Sequence, residues 1–214
     1  MRSVDPETPP RIVGGALLAA VLLGVAGAAL RWRNNPSACP YSQRLWVKLP
    51  RPFFTHSRLR GILAPESSQR ILEVGPGIGY YALHTARWLS PGGTLEIVDI
   101  QQNMLDHTMR RAREVGLTNI VPTLGDAQDL PYPDDSFDAA YLVATLGEAP
   151  DQSRVLSELF RVLKPGGRLI VGEGLPDPHM VRFASLQQQA SAEGLSFERR
   201  LGVAPAYFAA FRGA

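Results

Sequence analysis

Three glycines and two acids have the types and spacing needed to hold a nucleoside. The run Glu73-Val74-Gly75-Pro76-Gly77-Ile78-Gly79 follows a short apolar stretch. Glycines at such a turn let the backbone approach a ligand and let the next helix pack close to the preceding strand. Asp99 comes 20 residues after Gly79, where a carboxylate can accept hydrogen bonds from ribose hydroxyls. Asp126, within Gly125-Asp126-Ala127, follows a later apolar stretch and could meet an adenine amino group.

These acids must be positioned by a regular fold, and the sequence predicts one. From residue 70 onward, apolar runs alternate with helical patterns, which predicts an α/β fold with a mostly parallel sheet covered on both faces. We expect strands at 70–75, 94–100, 119–124, 137–143, 168–173, 196–203 and 207–212. We expect helices at 79–89, 102–115, 151–163 and 180–192. The last two strands have no long helix between them, so they are expected to form a hairpin.

The order of these motifs resembles that of the class I S-adenosylmethionine-dependent methyltransferases. The similarity is greatest to the group that contains the ubiquinone/menaquinone C-methyltransferases, and it covers about residues 68–175. The resemblance implies a Rossmann-like sheet of seven strands, the last of them antiparallel, and S-adenosyl-L-methionine as cofactor. A nicotinamide dehydrogenase is the rival enzyme, because its G-x-G-x-x-G loop is related. The E-x-G-x-G-x-G form and the lack of a Tyr-x-x-x-Lys pair speak against that rival.

The resemblance also implies roles for individual residues. Glu73 would face the methionine amino group, and Asp99 would bind the ribose hydroxyls. The remaining cofactor-binding residues would be the three loop glycines, two residues flanking the adenine, two at its edge, and two near the transferred methyl group: Gly75, Gly77, Gly79, Ile100, Met104, Asp126, Ala127, Leu142 and Val143. Glu73 could instead be a buried structural acid, Asp99 could be a helix N-cap, and Ile100 and Met104 could be core residues.

Methyl transfer from a sulfonium needs alignment and a water-poor site more than a nucleophilic residue. A base would help if the acceptor is a phenol or an activated carbon. Glu148 follows the predicted fourth strand, Glu173 ends the fifth, and Asp177 and His179 stand in the next loop. Any of these four could equally be a surface or turn residue. The four histidines lie far apart and show no Cys/His spacing of a zinc kind, so no metal site is predicted.

The N-terminal part of the chain predicts a membrane attachment. Residues 12–30 are uncharged and apolar or small, and as a helix they would span about 28 Å, close to the thickness of a bilayer. A cleaved signal peptide is the alternative, since Ala26-Gly27-Ala28 resembles a cleavage site. The excess of basic residues after the run predicts a single-pass membrane protein with a cytoplasmic catalytic domain. The expected organisation is therefore a tail at 1–11, a transmembrane helix at 12–30, a juxtamembrane segment at 31–65 and a methyltransferase domain at 66–214.

The juxtamembrane segment contains seven basic residues and no acid. Within it, residues 41–63 mix cations with Trp46, Phe53 and Phe54, which suits the headgroup region of a membrane. The same segment could be a linker that covers the domain, or could close over the cofactor pocket. By contrast, residues 66–214 hold 13 basic against 18 acidic residues, which disfavours nucleic acid as a partner.

These features predict methyl transfer to a small hydrophobic or lipid-soluble acceptor at the membrane surface. A quinone precursor, a phospholipid amine and a small hydrophobic thiol or phenol remain open as acceptors. The alternative from another class is a non-catalytic, membrane-bound module that binds S-adenosylmethionine.

Overall fold

The computed structural model describes Gly24 and residues 36–43, 53–175, 177–203 and 205–213. The chain divides into two compact units, Met1–Asn35 and Pro36–Ala214, and all the elements below belong to the second. The membrane helix predicted at 12–30 and the aromatic Trp46 lie outside the described residues. Within the ranges just given, the structure contains no helix with the length and apolar character to cross a membrane.

Seven strands form a single sheet, and this confirms the predicted sheet. They are β1 (Arg70–Val74), β2 (Thr94–Asp99), β3 (Ile120–Leu124), β4 (Phe137–Val143), β5 (Leu163–Gly174), β6 (Ser196–Val203) and β7 (Ala206–Arg212). Their order in the sheet is β3-β2-β1-β4-β5-β7-β6. The first five run parallel, while β7 is antiparallel to both β5 and β6. The predicted closing hairpin is therefore present, and β7 inserts between β5 and the edge strand.

Within residues 53–213 as far as they are described, five α-helices cover the sheet. They are α1 (His56–Leu63), α2 (Ala82–Leu89), α3 (Gln102–Glu114), α4 (Gln152–Val162) and α5 (Phe183–Ala192). Two apolar clusters lie on opposite faces of the sheet. One contains the buried side chains of α4 and α5, and the other contains those of α1, α2 and α3. Both faces are thus covered, as the alternating pattern predicted.

Helix α1 was not predicted, and it corrects the expectation that all of residues 41–63 lie at a membrane surface. Leu59, Ile62 and Leu63 recur at helical spacing and are buried against the sheet. Phe54, expected to enter the headgroup region, is 4% exposed and belongs to the same core cluster. Phe53 keeps 43% of its surface exposed. Within the described residues, the second half of the segment is therefore part of the domain.

Most predicted boundaries differ from the structure by one to three residues, but β5 differs by more. It begins at Leu163 instead of residue 168, because the chain from Lys164 to Gly167 stays within the strand as an irregularity. The pairing with β4 shifts there, from Phe137 opposite Leu163 to Ala139 opposite Arg168. A turn signal inside a strand marks such a bulge as readily as it marks a strand's end.

Candidate active site

The crevice between the carboxyl ends of β1 and β4 is the natural binding site of this sheet. After β1 the chain enters α2 on one face, and after β4 it enters α4 on the opposite face. Divergent connections of this kind leave a gap at the edge of the sheet, where ligands of open α/β sheets bind. The glycine-rich loop leaves β1 at this gap, and Thr145 follows the end of β4.

The loop after β1 is packed so closely that side chains are excluded from two of its positions. Gly75 has a φ of 69°, and a Cβ atom there would lie 2.6 Å from the Thr145 hydroxyl oxygen. Gly79 has a φ of 78°, and a Cβ atom would lie 2.9 Å from the Thr108 methyl carbon. Thr108 also donates a hydrogen bond of 3.0 Å to the carbonyl of Gly77. The loop therefore keeps a bare backbone beside the crevice, which suits close approach of a ligand.

Glu73 lies at the end of β1 and is almost completely buried. Only 3% of the residue is exposed, and Tyr141 of β4 donates a hydrogen bond of 2.7 Å to its Oε2 atom. Burial raises the pKa of Glu73 to about 8, and the nearby carboxylate of Asp99 acts in the same direction. An adjacent positive charge would favour the ionised form of this carboxyl group and so lower its pKa.

The acids after β2 and β3 sit side by side at the same edge of the sheet. The Oδ1 atom of Asp99 accepts a hydrogen bond of 2.9 Å from the amide of Gln101, and burial raises the pKa of Asp99 above its ordinary value. The amide of Gly125 donates to the carbonyl of Asp99 over 3.1 Å, which brings the turn containing Asp126 next to it. Asp126 is itself held by a hydrogen bond of 2.8 Å from the amide of Gln128.

The apolar residues assigned to the cofactor are placed as follows. Ile100 projects from the sheet edge with 57% of its surface exposed, whereas Met104 is buried in α3. Ala127 is partly buried and packs on the core cluster beneath the Asp126 turn. Leu142 is fully buried within β4, one residue before the strand ends at Val143. Their roles toward a ligand stay predictions.

The four candidate bases converge on the other side of the crevice. Glu173, near the end of β5, is fully buried, and its Oε2 atom accepts a hydrogen bond of 3.1 Å from the amide of Val181. Its Oε1 atom has no partner with hydrogen-bond geometry among the residues that the structure describes, although the amide of Gly147 lies close enough to lower the pKa of the carboxyl group. Burial raises the pKa of Glu173 to about 8, with repulsion from Asp177 and Glu148 adding to the shift.

The loop after β5 is pressed against the turn after β4. A Cβ atom at Gly147 would collide with the carbonyl of His179, so this contact requires glycine. Asp177 accepts a hydrogen bond of 2.8 Å from the amide of His179 and orders the loop. This contact brings Glu148, the neighbour of Gly147, close to Glu173. Glu148 lies in the turn after β4, whereas Glu173 lies near the end of β5. The sequence named these residues, but only the fold places them together.

Residues 36–43 contribute a strap to the site that the sequence did not indicate. The amide of Cys39 donates a hydrogen bond of 3.2 Å to Glu148, after β4. The side chain of Gln101, after β2, donates 2.9 Å to the carbonyl of Cys39 and accepts 3.1 Å from the amide of Tyr41. The Tyr41 hydroxyl reaches His107 of α3 over 3.2 Å. The strap thus runs along the carboxyl edge of the sheet, from the candidate bases to the helix after Asp99.

Solved structures of low sequence identity share this fold. An S-adenosylmethionine-dependent methyltransferase from Aquifex aeolicus superimposes with a TM-score of 0.73 over 81% of this chain and 98% of that one, at 20% identity. The [4+2]-cyclase SpnF gives a TM-score of 0.67 over 74% of this chain and 79% of that one, at 21% identity. At these identities the likeness concerns the fold alone.

Curated relatives are more similar in sequence over a shorter stretch. A demethylmenaquinone methyltransferase of Symbiobacterium thermophilum is 34% identical over 140 residues, which is 64% of this chain and 53% of that protein. The methyltransferase GfsG of Streptomyces halstedii is 37% identical over 108 residues, 50% of this chain and 38% of that protein. The ubiquinone/menaquinone biosynthesis C-methyltransferase UbiE of Proteus mirabilis is 35% identical over 107 residues, 50% of this chain and 43% of that protein. The chain thus spans about half the length of these relatives, or less.

The sequence profile of the ubiE/COQ5 methyltransferase family matches residues 53–188. That range contains the glycine loop, Asp99, Asp126, Glu148 and Glu173, and it begins at Phe53, just before α1. The crevice, its bare-backbone loop and its paired acids fit the cofactor of such enzymes. The chain belongs to the ubiE/COQ5 methyltransferase family, and its cofactor is S-adenosyl-L-methionine.

Proposed function

We propose that this protein transfers a methyl group from S-adenosyl-L-methionine to a small, lipid-soluble acceptor that loses a proton in the reaction. The observation that carries the proposal is the buried, half-unpaired carboxyl group of Glu173 beside the cofactor crevice. A structural glutamate would be expected to have both oxygens hydrogen-bonded when fully buried. A carboxyl group of this kind beside a reaction site is a candidate base.

The cofactor is held by groups on the other side of the crevice. Glu73 would face its ammonium group, Asp99 would accept hydrogen bonds from its ribose hydroxyls, and Asp126 and Ala127 would border its adenine. When bound, the cofactor supplies an electrophilic methyl group with a neutral thioether as leaving group. The protein therefore has to exclude water, align the acceptor and dispose of one proton.

Glu173 is placed to take that proton. An acceptor with a hydroxyl or an activated C–H at the reacting position releases one proton as it gains the methyl group. The ionised carboxylate of Glu173 accepts it. Because the pKa is about 8, this carboxyl group is mostly protonated at pH 7, and the share that can act as a base grows as pH rises toward 8. Glu148 and Asp177 close by keep the carboxyl from ionising too readily. His179 stands next to Asp177, with 4.0 Å between its Nδ1 atom and Oδ1 of Asp177.

A lipid-soluble acceptor is supported by an exposed apolar rim at the same edge of the sheet. Leu175 follows the end of β5, and Val203 ends β6, which runs parallel to β5; both are more than half exposed. Phe53 lies near them, since the adjacent Phe54 packs against Gly174. Three exposed apolar side chains around a site mouth suit contact with lipid. The names of the relatives from Symbiobacterium and Proteus favour a prenylated quinol precursor as acceptor.

The proposed location is a membrane surface, with a single span at residues 12–30 and the catalytic domain on the cytoplasmic side. A carbonate wash of membranes from cells that express the full chain tests the attachment. Retention in the pellet supports the span, and recovery of a mature form beginning near Ala29 outside the cytoplasm would establish the signal peptide instead.

The acceptor is tested with the full-length protein in phosphatidylcholine vesicles and a methyl-labelled cofactor. One set of vesicles contains a demethylated quinol with a long prenyl chain, and a second contains phosphatidylethanolamine as the only amine. We expect label in the quinol. Label in phosphatidylethanolamine would instead identify an amine as the acceptor and contradict the quinol. Absence of label in both, with intact binding of the cofactor, would favour the non-catalytic module.

A pair of surface variants tests the apolar rim. Leu175→Ser should slow methylation of the long-chain quinol and leave a short-chain, water-soluble analogue unaffected. Val121→Ser is the matched control, because Val121 is also an exposed apolar residue but lies on β3, near the opposite edge of the sheet from the rim. Equal rates for both variants on the long-chain quinol would argue against lipid contact at the rim.

A further inference from the structure

A tyrosine on β4 stands directly behind the carboxyl group of Glu73. Tyr141 and Glu73 are paired neighbours in the parallel register of β1 and β4. Both side chains point to the face covered by α2, where the phenol oxygen of Tyr141 lies 2.7 Å from Oε2 of Glu73. Tyr141 is fully buried, so this contact is shielded from water.

A third residue completes the arrangement. The hydroxyl of Thr85 on α2 forms a hydrogen bond of 3.0 Å with the same phenol oxygen. A phenol has one proton, and that proton serves Glu73, so the Thr85 hydroxyl can supply the second hydrogen bond. Three buried polar groups from β1, β4 and α2 thus form one series of hydrogen bonds that ends at the carboxyl group of Glu73.

These hydrogen bonds leave one oxygen of the Glu73 carboxyl group for another partner. Tyr141 binds Oε2, and Oε1 accepts no hydrogen bond from any residue that the structure describes. Glu73 is the penultimate residue of β1 and lies two residues before Gly75 of the glycine loop, at the end of the strand where the crevice lies. The charged and titratable groups near it are Asp99 from β2 and Tyr141 from β4, with Tyr81 before α2 acting on Tyr141. No cation is among these described neighbours.

We infer that Tyr141, supported by Thr85, is a positioning residue that holds the Glu73 carboxylate toward the cofactor's ammonium group, and that Glu73 gives up a proton to solvent when the cofactor binds. This rests on the proposed role of Glu73. Before binding, burial and Asp99 raise the pKa of Glu73 to about 8, so at pH 7 the carboxyl group is mostly protonated. The ammonium group favours the carboxylate, and the displaced proton leaves the protein.

The consequence is a binding affinity that depends on pH in a defined direction. Affinity rises with pH up to the pKa of the free carboxyl group and then levels off, because ionising Glu73 no longer opposes binding. The hydrogen bond from Tyr141 lowers that pKa. Removal of this hydrogen bond should therefore weaken cofactor binding at pH 7 and raise the pH at which the affinity levels off.

Calorimetry with S-adenosylhomocysteine, which carries the same amino group and does not react, tests the inference on the full-length protein. Titrations at pH 7 in two buffers of different ionisation enthalpy give the number of protons released. We expect close to one proton for the wild type. For Tyr141→Phe, which keeps the ring, we expect affinity about tenfold lower or less and an upward shift of the levelling pH. Thr85→Val should shift it in the same direction by a smaller amount.

Tyr132→Phe is the matched control. Tyr132 is also a buried tyrosine, but it packs against Phe137 at the start of β4, at the opposite end of the sheet from Glu73. This variant should leave both quantities unchanged. A levelling pH that is the same in Tyr141→Phe and wild type would overturn the role of Tyr141, even if affinity falls. The variant Glu73→Gln separates this from a failure of the proposed role of Glu73. If it binds as tightly as wild type and still releases a proton, Glu73 is not the ammonium ligand.

Discussion

At the residue scale, Asp99 has two hydrogen-bonding tasks at the end of β2. Its carboxylate accepts a hydrogen bond from the amide of Gln101, which shapes the turn into α3, and the amides of Gly77 and Ile100 also stabilise it. Its proposed second task is to accept hydrogen bonds from ribose hydroxyls. Asp99→Ala should therefore weaken S-adenosylhomocysteine binding by about one to two orders of magnitude, the value of a charge-assisted hydrogen bond. Calorimetry measures this loss.

Two further variants separate the tasks of Asp99. Asp99→Asn keeps an oxygen for the turn but loses the charge, so it should still bind more weakly than wild type. Asp106→Ala removes an exposed acid on α3 and should have no effect. Wild-type affinity in Asp99→Asn would mean that Asp99 serves the turn alone.

The site residues differ in how far the sequence could predict them. Glu73 and Asp99 lie at the carboxyl ends of strands with clear apolar runs, so their position at one edge of the sheet was predictable. Tyr141 was not singled out, although it is a polar residue in the apolar run Ala139–Val143 and faces Glu73 once the strands are paired. Gln101 gave no signal, because its role depends on backbone groups of a strap distant in sequence. Side-chain contacts across strands need the register, which local patterns do not provide.

At the element scale, the strap of residues 36–43 is bound at two of its residues by the side chain of Gln101. Gln101 makes two hydrogen bonds to its backbone, at Cys39 and Tyr41. Gln101→Ala should loosen the strap and increase the dissociation rate of S-adenosylhomocysteine several-fold, since each net hydrogen bond contributes about 1 kcal/mol. Stopped-flow displacement measures this rate.

The neighbouring Gln102 offers the control for the strap. Its side chain is exposed and bonds only to Asp106 on the same helix, so Gln102→Ala should leave the rate unchanged. Equal dissociation rates for Gln101→Ala and wild type would mean that the strap does not restrain the ligand.

Helix α1 belongs to the folded domain by its buried face. Leu59 is completely buried against the sheet, and Leu59→Ala should lower the free energy of unfolding by about 2–5 kcal/mol. Ser57→Ala, an exposed change on the same helix, should alter it by less than about 0.5 kcal/mol. Urea unfolding provides the measurement. An unchanged midpoint in Leu59→Ala would show that α1 is a dispensable linker.

The elements explain what sequence periodicity can and cannot reveal. Six of the seven strands and four of the five helices were predicted within three residues, because their apolar periods are regular. Helix α1 was missed since its eight residues contain Arg58 and Arg60 and follow a basic, aromatic stretch that resembles a membrane-surface segment. The early start of β5 was missed because the Pro-Gly-Gly run reads as a turn, while the sheet accommodates it as a bulge.

At the scale of the whole molecule, two buried carboxyl groups make stability depend on pH. The folded-state pKa values of Glu73 and Glu173 are both about 8, against an ordinary value of 4.5. Between pH 5 and pH 8 both carboxyl groups are mostly protonated in the folded state and ionised in the unfolded state, so unfolding releases their protons. Each group therefore lowers the free energy of unfolding by about 1.4 kcal/mol for every pH unit of rise in this range.

Urea unfolding of the cofactor-free protein at pH 6 and pH 8 measures this dependence. The stabilising contribution is present at low pH and lost as pH rises, so the wild type should be less stable at pH 8. The double variant Glu73→Gln with Glu173→Gln should lose most of the difference. A wild type with equal stability at both pH values would mean that neither carboxyl group is protonated in the folded state.

The measurement that bears most directly on the account is the rate of methyl transfer in Glu173→Gln. The variant keeps the shape of the side chain but cannot accept the acceptor's proton. We predict that transfer of labelled methyl groups to the quinol in vesicles falls by about 10²–10⁴-fold. The affinity for S-adenosylhomocysteine should stay the same, since Glu73 and Asp99 are untouched. Undiminished transfer in Glu173→Gln, with the cofactor bound as in wild type, would contradict the proposed base and with it the proposed reaction.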